Sequence, residues 1–217
     1  DYDRVVRQRN TLLKTRAPQS SLVPWTEQLI SLGAQLTAER ISLVEKLNPY
    51  VVAHYAKLNE VKAASITYKS STDGLTTDTD SNVAILTAKQ KEVAHNESER
   101  GVSLIGPHRD DLHLHLGDFP AKGYASHGES WSMAIALRIG SYTLLKSEGA
   151  DPVLILDDIF AELDNQRRQQ LTAVTQLAEQ TIITTAVESD LPPELLSAKF
   201  YVSPGKVSIE KVSASNG

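Results

Sequence analysis

Apolar positions set out the chain's elements before any motif does. From Tyr2 to Lys14, Val5, Val6, Leu12 and Leu13 stand among Arg4, Arg7, Arg9 and Lys14, a pattern that predicts a basic helix stopped by Pro18. After Pro24, Trp25, Leu29, Leu32, Leu36, Leu43 and Leu47 keep to one helical stripe, with Glu27, Glu39, Arg40, Glu45 and Lys46 off it. This predicts one long amphipathic helix, with a break expected at Asn48-Pro49 before it resumes from Tyr50 to Leu58. The stripe reads as packing inside a helical domain, with a partner-binding coiled coil as the alternative.

Ile66-Thr67-Tyr68 is a candidate short strand, Ser70 to Asn82 a polar surface loop, and Val83 to Arg100 a charged helix ended by Gly101. Beyond it, strands are expected at Val102 to Ile105 and Leu112 to Leu116, with Pro120 to Tyr124 pairing beside them. Then come a helix (Glu129 to Lys146), a buried strand (Val153 to Leu156), a helix (Asn165 to Glu179), a strand (Thr181 to Thr185) and a final strand pair near Phe200 to Val202 and Val207 to Ile209. Alternating helices and unbroken apolar strands imply a parallel sheet covered on both faces. The expected architecture is α/β for residues 101–217, preceded by a mainly helical domain over residues 1–100.

Composition narrows what such a fold can do. The chain has 217 residues, 41% hydrophobic and 23% charged, and its 22 Lys+Arg against 27 Asp+Glu give a net charge of −5. That sign excludes coating nucleic acid by bulk electrostatics, so DNA contact requires a local patch. Arg4, Arg7, Arg9, Lys14 and Arg16 form the clear basic cluster, and a plain solvated helix face is its alternative reading. Cysteine is absent, which removes disulfides, thiolate metal sites and thiol nucleophiles together and fits a cytoplasmic protein. No apolar run is long enough to span a membrane, and a charged start at Asp1-Tyr2-Asp3-Arg4 does not resemble a signal peptide. The first residue is not Met, so a piece of a longer chain is expected.

The strongest chemical signal is Pro152-Val153-Leu154-Ile155-Leu156-Asp157-Asp158. An apolar strand with two carboxylates at its C-terminal end places them where ligands bind in open α/β sheets, in the form of a Walker B element. One carboxylate of such a pair supports Mg²⁺ and the next orients an attacking water. An ordinary acidic strand end is the competing reading. Upstream, Ala125-Ser126-His127-Gly128-Glu129-Ser130 opens a long helix, where a hydroxyl, a glycine and free N–H groups make an anion site. A plain capping box from Ser126 to Glu129 is the alternative, and the two readings are compatible. His113 and His115 alternate on one strand face without an evident third metal ligand.

Asp157 to Asp164 resembles the Walker B plus D-loop of ABC-type ATPases, and Ser126-His127-Gly128-Glu129 resembles their signature loop. Together with Gln8-Arg9-Asn10 and Gly106-Pro107-His108-Arg109-Asp110-Asp111-Leu112, these segments resemble the RecF family of DNA replication and repair proteins, in an actinobacterial-looking variant. The resemblance implies part of an ABC-type ATPase head, related to Rad50 and SMC heads, with a helical second domain. It implies ATP and Mg²⁺ as cofactors: Ser126, His127, Gly128 and Glu129 facing the ATP of an opposite subunit, Asp157 supporting Mg²⁺, Asp158 orienting the water, and Asp164 at the dimer seam. The implied partners are DNA at gapped or stalled replication sites, a second copy in an ATP-dependent homodimer, and recombination mediators of the RecR/RecO type.

Three features depart from that pattern, one being that no Q-loop is identifiable. No Gly-x-x-x-x-Gly-Lys-[Ser/Thr] occurs, so the P-loop is missing, and Thr184-Thr185-Ala186 stands where ABC heads usually carry a switch histidine. The complete protein is expected to be a slow ATPase and this chain alone inactive. The rival expectation is a non-catalytic module that docks DNA or recombination mediators.

Overall fold

The computed structural model describes residues 1–59, 61–176, 178–195 and 198–211. Helix α1 (Tyr2–Lys14) is followed by α2 (Gln19–Leu58), strand β1 (Ala64–Lys69) and helix α3 (Thr79–Arg100). Then come β2 (Asp111–Leu116), β3 (Phe119–Pro120), a distorted single turn α4 (Ala121–Tyr124), α5 (His127–Ser147), β4 (Leu154–Asp157), α6 (Asn165–Thr175), β5 (Thr181–Thr184) and the hairpin β6 (Ala198–Ser203) and β7 (Lys206–Lys211).

Helix α2 runs 40 residues, about 60 Å at 1.5 Å per residue, and carries both Pro24 and Pro49 in its interior. The break expected at Asn48-Pro49 does not occur. Each proline removes one backbone hydrogen bond, but packing on both sides of Pro49 sustains the helix. Leu29, Ile30 and Ala34 pack with Tyr2, Val5, Leu86 and Ile105, whereas Val51, Tyr55 and Leu58 pack with α5, β4 and α6 through Met133, Ala136, Ile139, Leu156 and Leu171. Close approach of α2 to α5 occurs at Gly140, where an added Cβ would lie 3.2 Å from the Val51 backbone nitrogen. Thus α2 joins two apolar cores. The sequence division between residues 100 and 101 is also crossed by the sheet, because β1 pairs antiparallel with β2 from Ala64 opposite Leu116 to Lys69 opposite Asp111. Residues 212–217 of the expected second domain lie outside the described residues.

The expected strand at Val102 to Ile105 is absent because side chains take its backbone groups. Asn10 Oδ1 accepts from Ser103 N–H at 2.7 Å, Glu97 Oε1 accepts from Leu104 N–H at 2.6 Å, and Arg109 Nε donates to the Ser103 carbonyl at 2.8 Å. Likewise the polar loop before α3 is not all surface. Asn82 is buried, accepts from Thr76 N–H and donates to the Thr76 carbonyl, and α3 begins at Thr79, capped by Asp78.

Strands β4 and β5 pair in parallel, with Asp157 opposite Thr184. Among the described residues this sheet has two strands, and only one face is covered: Leu156 is buried, while Ile155 and Ile182 are exposed. Helix α6 ends at Thr175, short of the expected Glu179, and residue 177 lies outside the described residues. No helix is long and apolar enough to cross a membrane among the described residues.

Candidate functional site

The N-terminus of α5 is built by a complete capping box. Ser126 Oγ accepts from Glu129 N–H at 3.3 Å, and Glu129 Oε2 accepts from Ser126 N–H at 2.8 Å. Glu129 is held further by the Lys62 ammonium at 2.7 Å, and this cation, with the Ser126 N–H and hydroxyl, pulls its carboxyl down to about 2. Glu129 is therefore an anchor of the turn. The Ser126 side chain is exposed, and its hydroxyl both accepts from Glu129 N–H and supports the Glu129 carboxylate. The N–H groups of His127 and Gly128 belong to the first helical turn, which supplies no internal carbonyl for them. His127 is exposed and accepts at Nε2 from the Trp131 indole at 3.1 Å.

Arg167 lies against this turn. Its Nε donates to Ser132 Oγ at 2.9 Å and its Nη2 to the Gly128 carbonyl at 3.4 Å, while Nη1 is ion-paired with Asp164. An added Cβ on Gly128 would stand 3.2 Å from Nη2, so the glycine admits the guanidinium. Asp164 is the N-cap of α6 and accepts from Arg167 N–H at 2.9 Å.

The Walker B-like carboxylates stand at the exposed end of β4. Asp157 Oδ1 accepts from the Thr184 hydroxyl across the parallel pair. The strand ends at Asp157, and Asp158 takes a left-handed conformation with φ 51°. Its N–H donates to the Thr184 carbonyl at 3.1 Å and lies 3.2 Å from the Thr184 hydroxyl oxygen. A non-glycine residue held there stores strain of a kind that concentrates at functional sites. An exposed carboxylate with one oxygen fixed and the other open suits an ion that also takes phosphate oxygens and water, as Mg²⁺ does. No cluster of three or more His, Asp or Glu able to hold a metal by itself occurs among the described residues, and His113 and His115 form only an edge-on ring contact at 6.1 Å.

The basic cluster divides. Arg4, Arg7, Lys14 and Arg16 are exposed, but Arg9 is buried and makes an ion pair with Glu97 at 2.6 Å. Arg9 therefore has no guanidinium edge left for DNA, which corrects its place among the DNA-binding candidates.

The Gly106 to Asp110 run forms a clasp instead of a ligand site. Tyr2 donates its hydroxyl to His108 Nδ1 at 2.8 Å, and Arg40 donates to the Pro107 carbonyl at 2.7 Å. Asp110 accepts from the Tyr68 hydroxyl at 2.6 Å and from Ser71 N–H at 2.7 Å. Burial first, and Asp110 second, push the Tyr68 phenol up to about 12. Gly106 has φ 106°, and an added Cβ would meet the Tyr2 hydroxyl at 2.2 Å, so no other residue fits without displacing Tyr2.

No family model matches the chain. It is 45% identical over 218 residues to the DNA replication and repair protein RecF of Streptomyces avermitilis, covering 95% of this chain and 58% of that protein. It is 44% identical over 241 residues to the RecF of Rhodococcus erythropolis, covering 98% and 59% respectively. This chain belongs to the RecF family. It spans somewhat more than half the length of the curated RecF relatives it matches. The fold agrees with the solved recombination mediator protein RecF-ATPrS in the RecFOR pathway, with a TM-score of 0.82 at 22% identity over 96% of this chain and 56% of that one. The resemblance drawn from the motifs is thereby established as family, and the mixed α/β architecture as RecF fold.

The sequence pattern does not single out Arg167 or Lys62, and it marks Thr184 only by its place in the switch position. Arg167 follows Asp164 by three residues in the first turn of α6, a spacing that brings side chains together. Thr184 ends the strand after β4 and was visible as the residue in the switch position. Lys62, in the α2–β1 connection, carries no local signal.

Proposed function

We propose that this chain supplies the signature, Walker B and D-loop elements of a RecF-type ATPase that dimerises on ATP and acts on DNA in replication-linked recombinational repair. The supporting observation is the end of β4: Asp157 fixed by Thr184, and Asp158 turned into a left-handed conformation beside it. Bound Mg²⁺-ATP supplies the phosphoanhydride and the charge neutralisation at its phosphates. Asp157 would hold the ion's open side, and Asp158 would orient the attacking water and take its proton. In trans, the Ser126 hydroxyl and the His127 and Gly128 N–H groups would donate to the γ-phosphate of nucleotide held by a second copy. Asp164 would meet that copy at the seam. The P-loop, missing from this sequence, would come from elsewhere in the complete protein.

Residues 1–100 are read as the helical arm domain and residues 101–217 as part of the head. DNA would meet the exposed Arg4, Arg7, Lys14 and Arg16, and mediators of the RecR/RecO type would dock on the assembled dimer.

Single-turnover hydrolysis and Mg²⁺-ATP affinity of the complete protein test the division of roles. Asp158→Asn should keep ATP binding and dimerisation while slowing hydrolysis about 10²- to 10⁴-fold. Asp157→Asn should weaken Mg²⁺-dependent binding itself. Normal turnover in Asp158→Asn, or the same defect in both, would refute the assignment.

A further inference from the structure

We propose that Arg167 is a positioning residue that locks the signature turn of α5 to the D-loop, so that Ser126 and Asp164 meet an opposing subunit as one rigid unit. This rests on the composite-site reading above and adds the device that sets its geometry.

Four observations support it. One guanidinium reaches three partners on two elements: the Gly128 carbonyl and the Ser132 hydroxyl in α5, and the Asp164 carboxylate at the start of α6. Ser132 is fully buried, so Nε is anchored in the interior while the two terminal nitrogens reach outward to the two loops. Asp164 is held twice by the same residue, once by the backbone N–H and once by the side chain, which leaves it little rotational freedom. The glycine of the signature turn is the residue whose Cβ would crowd Nη2 at 3.2 Å. A planar fork with fixed donor directions transmits position between the two loops in a way that a flexible ammonium does not. The consequence is cooperativity: loosening one loop releases the other.

The test uses the complete protein, with ATP-dependent dimerisation measured by sedimentation, monomer ATP affinity by calorimetry and folding by thermal melt. Arg167→Gln should weaken the ATP-bound dimer about ten- to a hundredfold while leaving monomer ATP affinity unchanged. Arg167→Lys should not restore it. Ser126→Ala and Asp164→Asn should be non-additive in the wild-type background and additive in Arg167→Gln. If Arg167→Gln melts too early to measure, Ser132→Ala removes only the inner anchor and should show a smaller loss of the same kind. Wild-type dimerisation in Arg167→Gln or Arg167→Lys, undiminished dimerisation in Ser132→Ala, or coupling that persists in Arg167→Gln would overturn the proposal. Normal dimerisation of both Ser126→Ala and Asp164→Asn in the wild-type background would overturn the composite site itself, a result distinct from failure of Arg167 alone.

Discussion

Arg9 and Glu97 form a buried ion pair at 2.6 Å between α1 and α3, with side chains 2% and 0% exposed. The pair is fully furnished. Arg9 also donates to Ser103 Oγ at 2.7 Å and Thr26 Oγ1 at 3.0 Å, and Glu97 accepts from Leu104 N–H. Removing one partner strands the other charge in the interior, at a cost of about 3–5 kcal/mol. Arg9→Ala or Glu97→Ala should therefore shift the denaturant midpoint far more than Arg4→Ala. A loss under about 1 kcal/mol in equilibrium unfolding would contradict the account.

That pair also marks where the sequence was legible. Helix periodicity exposed the run of α1 and its apolar side, and Val5 and Leu13 are indeed buried. It did not distinguish Arg9 from Arg4 and Arg7, because burial of a cation depends on a carboxylate 88 positions away. The same limit explains the missing strand at Val102 to Ile105, where an apolar run is fixed by Asn10 and Glu97 instead of a neighbouring strand. By contrast, the capping box at Ser126 and the carboxylates at the end of β4 are local features, and short-range spacing is enough to place both. Proline was over-read at position 49, where tertiary packing outweighs one lost hydrogen bond.

The Lys62–Glu129 contact makes the N-terminal turn of α5 acid-sensitive. The Glu129 carboxyl sits at about 2 in the folded chain, below the ordinary value of 4.5, so its contribution is present above pH 4.5 and lost as pH falls toward 2. Glu129→Gln should be less stable than wild type at neutral pH, and the gap should close across that window. Urea unfolding of both forms from pH 7 to pH 2 checks this, and a gap that stays constant with pH would contradict it.

DNA attraction should follow the exposed basic residues of α1. Each phosphate contact contributes about −0.9 to the log-log salt slope on duplex DNA. Charge reversal of Arg4 and Arg7 in the complete protein should lower the slope by about one to two units. An unchanged slope would place the DNA site elsewhere.

Without a P-loop this 217-residue chain should hold ATP only weakly. On the proposed reading the Ser126 hydroxyl and the first-turn N–H groups would contact only one end of the nucleotide, without the lysine and backbone cradle that would hold its phosphates. Calorimetry should detect no micromolar ATP affinity for the isolated chain. Tight binding would show a site that the motifs do not describe.

On the proposed reading, the N-terminal turn of α5 completes a nucleotide site on an opposing copy. Sedimentation of the complete protein with and without Mg²⁺-ATP, as wild type and as Ser126→Arg, tests it most directly. The wild type should form dimers with ATP and the variant should stay monomeric under both conditions, with monomer ATP affinity preserved. ATP-dependent dimers of undiminished strength in Ser126→Arg would contradict it.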